Sequence, residues 1–283
     1  MMAHYVDKLT LQEAKSLAHT ALGHIMVLDP NNIALKYRVA NFDYQFNLDY
    51  ERSKATFDQF LKLAPENRWI SYFLGSLALR EGRTSKAIRY LVTAVDHGAN
   101  RGLEHVAILI TSSLIRCLAN DCERTLEDSR EALRLAEGGQ ERADCLWGYA
   151  FSLIMLDRIE ETRPFVEELW DLDGIAYPAR GFALFALLGE TERAHNILSD
   201  PRYELVGGFN LAIGHLALGD IDSTFRSIKA GIENQNGFLL DSLSVAKMWD
   251  PIRDDPRFGE MLDLLDSKVT HTKQYLRDHQ IEQ

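Results

Sequence analysis

A ladder of small residues runs through this chain at a nearly constant step. Ala18, Ser53, Ala87, Thr125, Thr162, Ala194 and Thr224 are separated by 35, 34, 38, 37, 32 and 30 residues. Four residues after each rung stand Leu22, Phe57, Leu91, Ser129, Val166, Leu198 and Ile228, and seven after it stand Ile25, Phe60, Ala94, Ala132, Leu169, Pro201 and Gly231. Offsets of 0, 4 and 7 fall on one face of an α-helix. A small residue lets two helices approach closely, and the large one beside it fills the remaining gap. Ser129 and Pro201 break the pattern and mark two irregular repeats. Seven rungs at this step predict stacked helical units rather than a bundle without internal repetition.

The segment before each rung has its own signature. The clearest is Trp69 to Glu81, WISYFLGSLALRE, in which Leu74, Gly75 and Ala78 share a face. Gly82 and Arg83 then turn the chain into SKAIRYLVTAV. Leu146, Gly148 and Phe151 echo this, as do Leu211, Ala212 and His215 ahead of Gly219-Asp220. A glycine at a helix end takes the left-handed conformation without strain. Prolines in Leu28-Asp29-Pro30 and Leu63-Ala64-Pro65 stop the second helix of two units, because proline cannot continue the helix it follows. No stretch alternates with the period of a strand. The expectation is thirteen to fifteen helices paired as antiparallel hairpins.

Composition narrows the function classes. Hydrophobic residues make up 46% of the 283, enough for a core, and no Pro/Gly/Ser linker divides the chain. The net charge of −11 argues against nucleic acid as the main ligand, since phosphate contacts need a basic stripe, and against an anionic membrane surface. The most apolar runs, Val106–Ile115 and Leu146–Leu156, are too short to span a bilayer, and Met1 to Thr10 does not read as a signal peptide. Cys117, Cys122 and Cys145 form no CxxC pair. They read as reduced, buried small hydrophobes, which favours a reducing compartment and the cytoplasm.

The sequence contains no GxxxxGK[ST] or GxGxxG loop, no HExxH and no GxSxG elbow. His19 and His24 are five apart, a poor spacing for two ligands on one helix face. His105, His195 and His215 read as packing or surface residues, and Glu160-Glu161 and Glu167-Glu168 as solvated helix faces. Nothing marks an activating base for Cys117 or Cys122 as a nucleophile. No catalytic residue, metal site or cofactor is expected, and the chain does not read as an enzyme.

The segments GSLALREGRTSKAIRYLVTAV and LAIGHLALGDIDSTFRSIKAGI resemble tetratricopeptide repeats, and the resemblance extends over nearly the whole chain. It implies an all-α, right-handed α–α superhelix of about seven helical hairpins. The implied organisation is one solenoid over residues 1–283, with an incomplete repeat at 1–30, repeats at 31–236 and a capping segment and tail at 237–283. Leu11 to Leu28 reads as a second helix without its first. That raises the expectation of a fragment, or of a homologue that lost an upstream domain, and of an exposed apolar face that invites a homodimer.

The end of the chain supports a narrower resemblance. Asp250 to Phe258 reads DPIRDDPRF. Physically, Asp250-Pro251 and Asp255-Pro256 each set a capping carboxylate before a proline suited to a first helical turn. Phe258, Met261, Leu262 and Leu265 then offer an apolar face, and Asp263, Asp266 and Lys268 a polar one, as the uncovered end of a solenoid requires. The segment FLLDSLSVAKMWDPIRDDPRFGEMLDLL, together with NFDYQFNLDYERSKATFDQFLKLAPEN, resembles the C-terminal repeat region of bacterial multidomain proteins. In these the repeats follow a winged-helix, nucleotide-cyclase or kinase domain. The resemblance implies a sensory or scaffolding module for protein–protein interaction. The alternatives are a stand-alone scaffold of an assembly or secretion complex, or a sensor that binds a peptide or small molecule in its groove. Some of these proteins carry a membrane span before the repeats, which would make this half periplasmic.

In tetratricopeptide solenoids the first helix of each hairpin lines the concave groove. The resemblance therefore nominates Tyr37, Asn41 and Tyr44 from one repeat and Trp69, Tyr72, Ser76 and Arg80 from the next as partner-binding residues; Trp69 and Tyr72 read equally well as partly buried between helices. Co-chaperones of this family grip a C-terminal carboxylate with Lys and Asn on the groove helices. Here Asn41 stands at a suitable place, but Tyr37 and Tyr72 occupy sites that need polar groups, and His105 to Ile115 holds no Lys or Arg. A chaperone-type tail peptide titrated calorimetrically into the chain should therefore give no submicromolar dissociation constant, and such a constant would overturn this reading.

Overall fold

The computed structural model describes residues 17, 20–24, 27–29, 33–96, 103–173, 177–200 and 208–278. The rung Ala18 and the seven-on positions Ile25 and Pro201 lie outside the described residues. The described residues are helical, with no strand among them. They divide into two compact units, Met1–Pro65 with Asp266–Gln283, and Glu66–Leu265.

The first unit holds α1 (Ile33–Phe42), a π-helical turn (Asp43–Asn47) and α2 (Tyr50–Leu63), with α1 packed on α2. Asp49 caps α2 by accepting from the Arg52 amide at 3.1 Å. The helix stops at Leu63, two residues before Pro65, where the proline places the end. Leu17, Val27, Leu28 and Leu63 are exposed, and Leu22 is half-buried.

The second unit contains five helical pairs: α3 (Arg68–Arg80) with α4 (Thr84–Asp96), α5 (Leu103–Leu118) with α6 (Cys122–Leu135), α7 (Gly139–Met155) with α8 (Ile159–Asp173), α9 (Pro178–Leu187) with α10 (Thr191–Ser199), and α11 (Phe209–Ala217) with α12 (Ile221–Glu233). Each pair packs as a hairpin, and each first helix also packs on the first helix of the next pair. The chain ends in α13 (Gly237–Ser242), a 3-10 turn (Lys247–Ile252) and α14 (Pro256–Asp278), which crosses the boundary between the units.

The rungs fix this arrangement. Ser53, Ala87, Thr125, Thr162, Ala194 and Thr224 are each the fourth residue of α2, α4, α6, α8, α10 and α12, and each is 0% exposed. Four of the six carry a hydroxyl, which would be costly to bury unpaired. Each turns it back onto its own helix. Ser53 donates to the Asp49 carbonyl at 2.7 Å, Thr125 to Cys122 at 2.9 Å, Thr162 to Arg158 at 2.9 Å and Thr224 to Asp220 at 2.8 Å. Serine and threonine can therefore replace alanine at a rung because the backbone satisfies them. Phe57, Leu91, Val166 and Ile228 are buried one turn on, while Leu198 is half-buried near the end of short α10.

The turns repeat as closely as the rungs. Gly82, Asn120, Asp157, Gly189 and Gly219 each take a left-handed conformation, with φ of 71°, 64°, 58°, 76° and 74°. The next amide in each case reaches back five residues: Arg83 to the Ala78 carbonyl, Asp121 to Arg116, Arg158 to Leu153, Glu190 to Phe185 and Asp220 to His215, all within 2.8–3.0 Å. This bond satisfies carbonyls that the helix end leaves open. The glycines at three of these turns are legible as stops, whereas Asn120 and Asp157 do the same work without that signature.

Close approach also explains glycines inside helices. A Cβ on Gly148 would strike Ile110, where α7 rests on α5, and one on Gly214 would strike Phe182, where α11 rests on α9. His215, on the latter helix, lies 5.1 Å from Phe182, and burial lowers its pKa.

The structure corrects two expectations. Asp255-Pro256 does open a helix, with the Asp255 carboxylate accepting from the Arg257 amide at 3.0 Å. Asp250-Pro251 instead lies inside the 3-10 turn, where the Asp250 carboxylate pairs with the Arg253 guanidinium at 2.8 Å; the short connection to Pro256 leaves no room for a helix of its own. Cys117 and Cys122 are joined in a disulfide, and only Cys145 is free and buried among the described residues. The residues stand at the facing ends of α5 and α6, which the left-handed turn folds together. With that disulfide, the cysteine argument for a reducing compartment loses its premise. Among the described residues, no helix is long and apolar enough to cross a membrane.

Ala87→Leu should lower the stability of the chain by about 1–3 kcal/mol, because two helices meet where the added side chain would go. Arg89→Ala, on the exposed side of the same helix, should change it by less than about 0.5 kcal/mol. Urea unfolding of both variants measures the difference.

Candidate functional site

In the second unit the first helices of several hairpins meet the closing segment. α13 packs against α3, α5 and α12. Phe238 of α13 stacks near Trp147 of α7 and Phe209 of α11, at ring-centre distances of 5.8 and 6.3 Å. Trp249 in the 3-10 turn meets Phe209 edge-on at 6.3 Å, and its indole N–H donates to the Ser242 hydroxyl at 3.1 Å. Leu239, Leu240, Leu243, Ala246, Trp249 and Ile252 are all buried. The segment therefore packs across helices of several hairpins as a short helix followed by a tight turn.

Two polar attachments hold it across the fold. The guanidinium of Arg80, at the end of α3, pairs with the Asp241 carboxylate; the two side chains are 7% and 5% exposed. Asn120, in the turn between α5 and α6, donates through Nδ2 to the Val245 carbonyl and accepts at Oδ1 from the Lys247 amide, each at 3.2 Å. The DPxRxDPRF signature fastens the far end. Arg253 donates to the Ala246 carbonyl at 2.8 Å, Arg257 pairs with Asp222 of α12 at 2.7 Å, and Phe258 is buried.

The seven nominated groove residues separate by unit. In the first, Tyr37 is half-buried with its ring 6.2 Å from Phe57, and Asn41 is half-buried. Tyr44 lies in the π-helical turn and is buried, 6.0 Å from Tyr50, so it belongs to the core of that unit. In the second, Trp69 and Tyr72 are half-buried and meet edge-on at 5.8 Å, with Phe73 beneath Tyr72 at 5.1 Å. Ser76 is fully buried, and Arg80 is engaged by Asp241. The aromatic start of α3 is thus partly accessible, whereas its C-terminal half lies beneath the chain's own closing segment.

Sequence reasoning did not single out Asn120, Trp147, Phe209, Phe238 or Asp241. Asp241 carried a usable signal: a lone carboxylate inside FLLDSL, an otherwise buried run, needs a buried cationic partner. Arg116 binds both Asp121, at 3.0 Å, and Asp128, at 2.9 Å, and burial raises the Asp128 pKa against the pull of that guanidinium. Burial pushes the Cys145 thiol up to about 12, so it is neutral at pH 7.

Asp241→Ala leaves a desolvated guanidinium without its counter-charge and should cost about 3–5 kcal/mol in urea unfolding. Arg80→Met combined with Asp241→Leu should recover most of that loss. A cost below about 1 kcal/mol for the single change would show that Arg80 finds another partner.

No family model matches the chain, and no curated protein is similar to it.

Proposed function

We propose that the chain is a protein–protein interaction module, the sensory or scaffolding part of a bacterial signalling or transcriptional regulator, built as a tetratricopeptide-type solenoid. The reading is carried by one observation: successive first helices stack side by side and already receive a peptide-like segment. The way α13 is held supports a preference of such a surface for an aromatic ring against Trp147 and Phe209 and a carboxylate against Arg80. Aromatic and arginine side chains are the usual anchors of an interaction hot spot. Among the nominated residues of the second unit, Trp69 and Tyr72 keep accessible surface and are the proposed partner contacts. In the first unit Tyr37 and Asn41 fill that role.

The DPxRxDPRF ending supports the regulator setting over a free-standing scaffold. Placement in the cytoplasm follows that setting and belongs to this proposal.

The test is affinity capture from native lysate with the chain as bait, read by mass spectrometry, beside a variant with Tyr37, Trp69 and Tyr72 changed to Ala and shown by circular dichroism to keep its helicity. A partner captured by the parent chain and lost with the variant is the expected result. Partners unaffected by the variant would move the site away from these helices, and a chain that captures nothing specific would overturn the reading.

A further inference from the structure

The turns of the five hairpins in the second unit share a left-handed residue and the same backward amide bond. Four of them form without a covalent link. Among the described residues only the turn between α5 and α6 is cross-linked, by Cys117 at the end of α5 and Cys122 at the start of α6. The disulfide is therefore not what this kind of turn needs in order to form. The same turn differs in a second respect. Its left-handed residue, Asn120, reaches across the fold and takes both a carbonyl and an amide of the closing segment, at Val245 and Lys247. The cross-link and the long-range grip coincide on one turn.

We propose that the Cys117–Cys122 disulfide is a redox lock on the closing segment. Oxidised, it fixes the short path from Leu118 to Asp121 and so fixes the direction of the Asn120 carboxamide. Reduction replaces one S–S bond by two thiols, whose sulfurs must separate to van der Waals contact. Cys117 is fully buried in packed surroundings, so the displacement falls on the turn and on Cys122, which is 7% exposed. The Asn120 carboxamide then loses its alignment with Val245 and Lys247, and residues 237–252 open more often.

The reductant is a dithiol. Its thiolate attacks the sulfur of Cys122, the less buried residue of the pair, and the S–S bond breaks with Cys117 leaving as thiolate. The second thiol of the reductant then attacks the mixed disulfide, releasing Cys122 as thiolate at the N-terminus of α6, where the helix dipole favours a negative charge. The reductant leaves as a cyclic disulfide. Two electrons and two protons pass to the protein, and both cysteines end as thiols. This lock concerns the closing segment alone and holds whichever partner the module binds.

The experiment is amide hydrogen exchange on the full chain, oxidised and after treatment with dithiothreitol, with thiol content counted by mass after alkylation. On gaining two free thiols, amides of residues 239–252 should exchange at least tenfold faster, while those of α8 and α10 stay unchanged. Asn120→Gly, which keeps the left-handed turn and removes the grip, should give the fast exchange even when oxidised. A Cys117→Ser/Cys122→Ser variant should exchange as the reduced chain does and ignore the reductant. Three results overturn the proposal: unchanged exchange in the closing segment after verified reduction, faster exchange spread evenly over residues 66–265, or a chain in which Cys117 and Cys122 resist oxidation. The first comparison uses the parent sequence alone, so a variant that fails to fold does not leave the question open.

Discussion

Every hairpin among the described residues depends on a small residue that its second helix buries. It stands at the fourth position of each second helix, from Ser53 to Thr224. A larger side chain there would hold the helices apart, and the buried leucine, phenylalanine, valine or isoleucine one turn on would lose its partner surface. Interior packing is as dense as an organic crystal, so a gap of one methylene is felt. The contact also sets the register of the next unit. Once a second helix is fixed against its first, its far end and the following left-handed turn determine where the next pair begins. Repetition of a local contact is thus enough to propagate the stack, without any long-range instruction.

In the second unit the closing segment packs across the stacked helices. Most of that packing is hydrophobic: Trp249, Leu239, Leu240 and Leu243 are buried against first helices from several hairpins. Hydrophobic burial alone is poorly directional, and a short helix of leucines could settle in more than one register. The buried Arg80–Asp241 pair removes that freedom. It contributes little net stability against an apolar pair of the same size, because both ions lose their water. A shift of one residue along the segment, however, would strand two charges in the interior. The pair therefore selects a register, and the Asn120 carboxamide, which needs one particular carbonyl and one particular amide, selects the same one.

This division between local and long-range causes explains what could be read from the residues. The buried face of α4 or α8 was legible because Ala87-Leu91-Ala94 and Thr162-Val166-Leu169 carry it within two helical turns. Glycine turns at Gly82 and Gly219 are legible for the same reason, whereas Asn120 and Asp157 are not, since asparagine and aspartate enter the left-handed region only occasionally. Arg80 was nominated for a groove and is found beneath α13, because its partner is 161 residues away and no spacing rule reaches so far. The disulfide is not legible in the residues for a related reason. A spacing of five between Cys117 and Cys122 is not a recognised pairing motif, and only the turn between two helices makes it one. Tyr44 reads as groove-lining if α1 continues, but the π-helical turn from Asp43 to Asn47 rotates it into the core.

The same contrast bears on how the protein would open. Contacts within a hairpin join residues close in sequence and re-form quickly once lost. Those of the closing segment join residues 35 to 161 positions apart, through Arg257–Asp222, Asn120–Lys247 and Arg80–Asp241. Losing one of them frees a long stretch of chain, and regaining it must overcome loop-closure entropy that hairpin contacts barely feel. Local opening should therefore divide along this line, with the segment from Gly237 to Ile252 separating while the helical pairs persist. A link that stiffens one anchor of the segment, as Cys117–Cys122 stiffens the turn carrying Asn120, then acts on the step with the largest entropic penalty. Placed at any of the other four turns, the same bond would brace a hairpin whose local contacts already hold it.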